Sequence, residues 1–481
     1  MKRKRCAPTI GFLSFAAAAA LAESDANDSA AIGRRIFGRG GVAGEVIATF
    51  AGTNALLPPR VRRCAGCHGP DGRGAREGGV EIPPINWVAL RAPRAALPGQ
   101  PGRPGYDEAT LERALAEAID PAGRSLAPGM PRFRLTPKQI KALFDHLRIV
   151  GTERDLDPGV AADEIRVGAV LPLTGAQAAW GRAVRAGLEN ALAAAGPIYG
   201  HQLRLITADA GDDVTAAFRR LTAGEQVFAL VATMLPARVE ETDDIVDLPI
   251  IGPLAPGAAQ LAANQFHLLA PIEDQMRVLV DELAGEMPHS LRLTIVGPNG
   301  GVADAVVDQA IRNGLTVQRA NAEDLTAVLP PTVESAPDAV LALPDVDFGH
   351  LAAQLAGQPG NWLLAGSAKA MTLDGATNER LRLVFPILEG PPGGDLSTES
   401  AAPPLAIAAA AVFVEGLKRM GARASRAGLI AAIESIRDFP TGVVPPLSFG
   451  RGKHTGNGAS LVIRPDHRRG LLVLGGWRTP R

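Results

Sequence analysis

Cys64-Ala65-Gly66-Cys67-His68 places two thiols and an imidazole within five residues. Cysteines at this spacing can each form a thioether to one of the two vinyl groups on a haem edge. The histidine that follows is then held under the iron as an axial ligand. Competing chemistries fit less well. A zinc site needs four ligands, and no second cysteine pair is present to complete one. A thioredoxin-like pair requires a βαβ setting, whereas these surroundings are rich in Gly and Arg. A disulfide across so tight a loop would leave the histidine unexplained. The motif therefore predicts one covalently bound haem c, attached through Cys64 and Cys67 and ligated by His68.

A haem bound on one side needs a second axial ligand or an open iron. Met130, in APGMPRF, is the only methionine between the motif and residue 150, and Pro128 and Pro131 hold its loop extended. After it, Thr136 reads as an N-cap and Pro137 as the first helical residue. Ile140, Leu143, Phe144 and Leu147 form one apolar stripe, and Gly151 closes the helix. This segment resembles the end of a class I cytochrome c, and the resemblance covers about residues 25 to 150. It implies an all-α domain with Met130 as the second axial ligand. It also implies an N-terminal helix, Ser29 to Arg39, packed on the C-terminal one, with Gly33 allowing close approach and Phe37 one turn on. The carbonyl of Pro83 or Pro84 would accept the ring N–H of His68. A core methionine is the alternative for Met130. His146 is the rival ligand, and its place late in the helix predicts surface exposure. Val42 to Arg63 is longer than the family's usual connection and its fold is unassigned; a second Pro/Gly-rich loop runs from Arg91 to Gly105. His/Met ligation raises the reduction potential and fills both axial positions, which suits single-electron transfer rather than catalysis.

The termini and composition set the compartment. MKRKR, an apolar IGFLSFAAAAAL and Ala20-Leu21-Ala22 read as a cleaved signal peptide over residues 1–22. That apolar run is too short to span a bilayer, and no later run of about 20 apolar residues exists. A soluble periplasmic protein follows, with Cys6 removed with the leader. At 481 residues and 46% hydrophobic content, two or three buried cores are expected.

Beyond residue 150 the pattern changes. Residues 151–164 are polar, with proline and glycine, and read as a linker between a 23–150 haem domain and a 165–481 domain. In the latter, apolar runs such as IRVGAVL, QVFALVAT and LRLTIVG alternate with helical segments, which argues for parallel sheets with helices on both faces and two lobes. VGAVLPLTGAQAAWGRAVRAGLENALA followed by GHQLRLITADAGDD resembles the opening of type I periplasmic solute-binding proteins, the branched-chain amino-acid receptor group. The resemblance implies a two-lobed α/β fold, a ligand turn at Leu173-Thr174-Gly175, a helix from about Gly181 and an aspartate, Asp209, ending the second strand.

The ligand turns depart from an amino-acid pocket. Pro236 and Pro256 stand where amide or hydroxyl donors would be wanted, and proline has no N–H to give. GPNGG (297–301) lacks a tyrosine and AGSAKA (365–370) lacks an acid. Thr174, Trp180 and Ser367 remain as ligand candidates; for Trp180, packing under the first turn is the alternative. A small uncharged or apolar molecule, or a docked partner protein, suits such a cleft. Residues 23–150 carry 18 basic and 13 acidic residues, a net of +5, and residues 151–481 carry 27 and 37, a net of −10. Arg60, Arg62, Arg63, Arg132 and Arg134 flank the haem ligands and predict a basic rim that steers an acidic redox partner, a dehydrogenase or another cytochrome. Export and the acidic second domain argue against nucleic acid. Fusions of this kind resemble accessory proteins of quinoprotein alcohol oxidation. The alternative is the receptor subunit of an ABC importer, docking on its permease and carrying a redox-sensing haem domain. A peroxidase-like enzyme has no further catalytic constellation to support it.

Overall fold

The computed structural model describes residues 29–30, 32–41, 46–50, 52–96, 102–152, 154–236, 245, 247–254, 264–286, 292–321, 338–344, 346–347, 350–351, 363–367, 380–385, 398–466 and 470–481. The leader, residues 42–45 and 97–101 of the two unassigned loops, Pro256 and residues 368–370 lie outside them. Contacts divide the chain into two compact units, Met1–Leu156 and Asp157–Arg481.

The first unit is mainly helical. It runs α1 (32–39), β1 (Ile47–Thr49), α2 (Pro59–Arg62), α3 (Cys64–His68), the hairpin β2 (Ala75–Glu77) and β3 (Val80–Ile82), α4 (Trp87–Arg91), α5 (Glu108–Glu117), β4 (Arg132–Arg134) and α6 (Pro137–Ile149). α6 starts where its residues dictate: Thr136 and Gln139 form a reciprocal capping box, Pro137 is the first helical residue, and Gly151 turns the chain at φ +76°. Its stripe of Ile140, Leu143, Phe144 and Leu147 is buried, contributing roughly 1.5–3 kcal/mol per side chain. α1 crosses α6 at Gly33, where an added Cβ would lie 2.1 Å from the Ala142 carbonyl oxygen and 2.9 Å from His146 Cβ.

The second unit holds two sheets. β5 (Glu164–Leu171), α7 (Ala178–Ala195), β6 (Gln202–Asp209), α8 (Val214–Arg219), β7 (Ala229–Val231), β8 (Ile250–Ile251) and β9 (Gln265–Phe266) build a parallel sheet in the order β6-β5-β7-β8-β9. α9 (Ile272–Glu286), β10 (Arg292–Val296), α10 (Gly301–Arg312), β11 (Thr316–Ala320), β12 (Ala339–Ala342), β13 (Leu363–Ser367) and β14 (Leu381–Phe385) carry the chain through the second lobe. α11 (Thr398–Met420) and α12 (Arg426–Glu434) return to the first lobe, α11 packing on α7, β7 and β8. β15 (Leu461–Asp466) and β16 (Gly470–Val473) complete a second sheet ordered β11-β10-β12-β13-β14-β15-β16, antiparallel only at its last two pairings. The buried, apolar runs of β5, β7 and β12 suit strands covered on both faces.

The start of this unit is anchored. Arg426 is buried and donates to the carbonyls of Val227 (2.7 Å) and Phe228 (3.2 Å), while its amide donates to Asp157 Oδ2 (2.6 Å). Gly159 lies so close to β7 that a Cβ would sit 2.0 Å from the Phe228 nitrogen. The hydrogen-bonded second unit thus begins inside the polar 151–164 segment.

Candidate functional sites

α3 carries the three motif residues on one short helix, with Cys64 buried, Cys67 exposed and neither in a disulfide. Burial pushes the Cys64 thiol up to about 12. His68 is 7% exposed, and its Nδ1 lies 2.8 Å from the Pro83 carbonyl oxygen. Of the two prolines left open by the sequence, Pro83 is the partner. An Nδ1–H donated to a carbonyl fixes the ring and leaves Nε2 bare. Burial lowers the His68 pKa and the carbonyl bond opposes it only partly, so the neutral imidazole that can bind metal is favoured.

The hairpin β2–β3 is what brings Pro83 back to His68. The Gly74 amide donates to the His68 carbonyl (2.8 Å), and the amides of Ile85 and Asn86 both donate to the Gly72 carbonyl. Gly74 sits at φ +90° with room for no Cβ, since one would lie 2.5 Å from the Ile82 carbonyl oxygen.

Met130 is half-buried at the edge of the core cluster that contains Cys64, Leu90, Leu111, Phe133 and Leu143. Two residues later β4 pairs antiparallel with β1, Ala48 opposite Phe133 and Ile47 opposite Arg134. The long connection through Val42–Arg63 therefore includes a strand that backs the methionine loop. Pleat alternation buries Ala48 and Phe133 and leaves Arg132 and Arg134 exposed.

Two expectations are corrected here. His146 is 3% exposed rather than on the surface, because α1 crosses α6 directly over it and the Phe37 ring meets it edge-on at 5.2 Å. Arg62 is 5% exposed and does not belong to a basic rim: its Nε donates to the Gly40 carbonyl (2.5 Å) and its Nη1 to that of Leu57 (3.1 Å). Arg63, Arg132 and Arg134 are exposed, and the Arg60 side chain lies outside the described residues.

In the second unit the ends of β5 and β6 meet. Asp209, last residue of β6, accepts from the amides of Leu173 (2.8 Å), Thr174 (3.3 Å) and Gly211 (3.1 Å), and its other oxygen accepts from the Thr174 hydroxyl (2.7 Å). The Thr174 hydroxyl bond is the chief cause that holds the Asp209 carboxyl below the usual range. The Thr174 hydroxyl thus donates a hydrogen bond to a neighbouring carboxylate and keeps its oxygen lone pairs for another donor. Trp180 packs on the lobe-one core beside Leu173, and Gly181 lets α7 pass close to β5, its absent Cβ falling 2.1 Å from the Pro172 carbonyl oxygen. α7 begins at Ala178, one turn ahead of Gly181. At the next turn Thr233 is wholly buried and accepts from the Val170 amide (2.9 Å), a tie that nothing in its local sequence announced. Ser367 ends β13, and its side chain lies outside the described residues. Among the described residues no group of three or more His, Cys, Asp or Glu could hold a metal ion. Among them, too, no helix is long and apolar enough to cross a membrane.

Comparison with known proteins divides the chain at the same place. Residues 61–150 match the family model described as cytochrome c, and residues 164–372 match the one described as periplasmic binding protein. Among solved structures, a fatty acid ABC transporter substrate-binding protein from Thermomonospora curvata is similar at 17% identity and TM-score 0.53, covering 67% of this chain and 94% of that one. An ABC transporter substrate-binding protein from Aeropyrum pernix aligns at 16% identity and TM-score 0.52, over 66% and 96% of the two chains. A branched-chain amino acid ABC transporter from Thermus thermophilus with bound valine aligns at 17% identity and TM-score 0.51, over 66% and 97%. At such identities the likeness is one of fold. No curated protein matches the chain.

Proposed function

We propose that this chain, a cytochrome c domain followed by a type I periplasmic-binding-protein domain, is an exported electron-transfer protein whose second domain binds a small uncharged or apolar molecule or a partner protein. A cytochrome c domain implies covalently bound haem c. The residues present fit that group: two unpaired cysteines on α3, a buried histidine with one ring nitrogen engaged and one bare, and a half-buried methionine on the same core cluster. Cys64 and Cys67 would hold one haem, with His68 and Met130 as axial ligands. When bound, haem c supplies a one-electron ferric/ferrous couple.

The chain's own residues do the rest. The Pro83 carbonyl orients His68 and keeps its Nε2 available. Leu90, Leu111, Leu143 and Phe144, buried in one cluster with Cys64, would keep water from a haem held there, which together with thioether ligation would favour the ferrous state. Exposed Arg63, Arg132 and Arg134 give the partner-facing side positive charge that steers an acidic dehydrogenase or cytochrome.

The observation that carries the proposal is the His68–Pro83 bond beside two unpaired cysteines. It is tested by acid–acetone extraction of the purified protein. One haem per chain should stay attached, and Cys64→Ala with Cys67→Ala should leave none. Haem extracted freely from the native chain would defeat the proposal. The match over residues 164–372 also supports a second reading, an ABC importer's receptor docking on a permease. Engagement of the Thr174 hydroxyl and Pro236 at the next turn disfavour a charged amino acid as its ligand.

A further inference from the structure

The connection from α1 to α3, longer than a class I cytochrome c uses, is fastened to the methionine loop. Its Val46, Ala48 and Leu57 are buried in the core cluster that also holds Cys64 and Phe133. Between Ala48 and Leu57, residues 52–56 are exposed, so the chain forms an arch standing on buried feet. Arg62 closes the base of this arch. Its guanidinium donates to the Gly40 carbonyl (2.5 Å) at one end and to the Leu57 carbonyl (3.1 Å) at the other, two residues ahead of Cys64. Gly41 turns at φ +78° against Val46, where an added Cβ would lie 2.3 Å from a valine methyl.

The far side of the arch reaches the second proposed ligand. The Leu57 amide donates to the Ala48 carbonyl (2.9 Å), so Ala48 turns its backbone polar groups into the arch and Ile47 and Thr49 turn theirs toward β4. Those two residues stand opposite Arg134 and Arg132, and Arg132 follows Met130 by two positions. Upstream, the methionine loop is held more lightly. Ala127, Pro128 and Gly129 are exposed, in a turn closed by the Met130 amide on the Ala127 carbonyl (2.9 Å). Behind that turn the Leu126 amide donates to the Ala118 carbonyl (2.7 Å).

Thioether ligation favours ferrous over ferric iron. In the oxidised protein it is therefore the loop, more than the bond, that keeps the sulfur in place. Each opening of the loop would expose an iron position to other ligands, whose apparent affinity scales with the open fraction.

We propose that β1 is a latch on the methionine loop: the pairing of Ile47 and Thr49 with β4 positions Met130 and keeps added ligands off the iron. The two are positioning residues, and the inference rests on the reading of haem and Met130 given above. It is tested by titrating the ferric full-length protein with imidazole, followed at the Soret band. Thr49→Pro removes an amide that faces β4 and should raise the imidazole affinity roughly tenfold or more. Thr49→Val keeps that amide and should match the parent. Val46→Ala trims a buried foot of the arch and should move the affinity in the same direction. Leu56→Ser, on the exposed span, should be silent. A parent protein without covalent haem as its pyridine haemochrome, or without the far-red sulfur-to-iron band, would defeat the underlying reading and the latch with it. Haem and band present, with imidazole affinity unmoved in Thr49→Pro, or in Val46→Ala where Thr49→Pro does not fold, would overturn the latch alone.

Discussion

Gly33 and Gly38 lie on the same short helix and invite the same substitution with opposite results. At Gly33 an alanine Cβ would meet the Ala142 carbonyl oxygen at 2.1 Å, the carbonyl carbon at 2.7 Å and His146 Cβ at 2.9 Å. Ordinary contact is about 3.5 Å, and the blocking atoms are backbone, so α1 must retreat by roughly 1 Å from α6. Retreat loosens Ile36 and Phe37, both nearly fully buried, and the Phe37–His146 ring contact. Overpacking of this kind costs about 1–3 kcal/mol, here at the upper end, and the helix propensity of alanine returns up to about 1 kcal/mol. Gly33→Ala should therefore destabilise the first unit by about 2 kcal/mol, a fall in its melting temperature on the order of 10 °C. At Gly38 nothing lies within 4 Å of the added Cβ. Gly38→Ala should gain about 0.5–1 kcal/mol from helix propensity alone. The measurement is thermal and urea unfolding of the full chain followed at the Soret band, which reports the haem-bearing unit. Two substitutions of the same sign, or a Gly33→Ala protein as stable as its parent, would refute the close crossing of α1 on α6.

Met130→Ala should abolish the weak sulfur-to-iron band in the far red and lower the potential; an unchanged spectrum would remove the methionine from the iron. Arg62→Lys should cost about 1–3 kcal/mol, because an ammonium cannot reach the Gly40 and Leu57 carbonyls together, whereas Arg63→Lys on the exposed face should be silent; urea titration distinguishes them. Asp209 has a lowered pKa when folded, so its stabilisation is present above the unfolded carboxylate value of about 3.9 and is lost as pH falls through the folded value. Asp209→Asn should thus reduce the stability of the second unit at neutral pH and flatten its acid-side loss. Calorimetry between pH 6 and pH 3 would expose an unaltered acid slope, which would show that the carboxylate does not hold the Thr174 turn.

Local rules carried much of this protein. The Cys64–His68 spacing, the Thr136–Pro137 helix start, the stripe of α6 and the alternation of apolar runs after residue 165 are short-range signals, written in residues a few positions apart. Their physical content, capping, amphipathic burial and strand length, acts over the same distance and is legible without a fold. The two domain resemblances rested on those signals. What residue spacing left open was settled across long separations. Pro83 rather than Pro84 faces His68 because the β2–β3 hairpin returns the chain there, a matter of Gly74 and its φ +90° geometry. Position on α6 predicted an exposed His146, and the crossing of α1, more than a hundred residues earlier, buried it. Arg62 read as surface charge until the Gly40 and Leu57 carbonyls closed around it. The tie of the Thr174 hydroxyl to Asp209, 35 residues on, is likewise a matter of where β6 ends beside β5. β14, β15, β16 and α11 escaped notice for a related reason. Their burial comes from lobe packing, and α11 carries prolines at 403 and 404 inside its first turns, against the usual local rule for a helix interior. Polar side chains choose partners by what the fold brings within 3 Å, and that choice is tertiary.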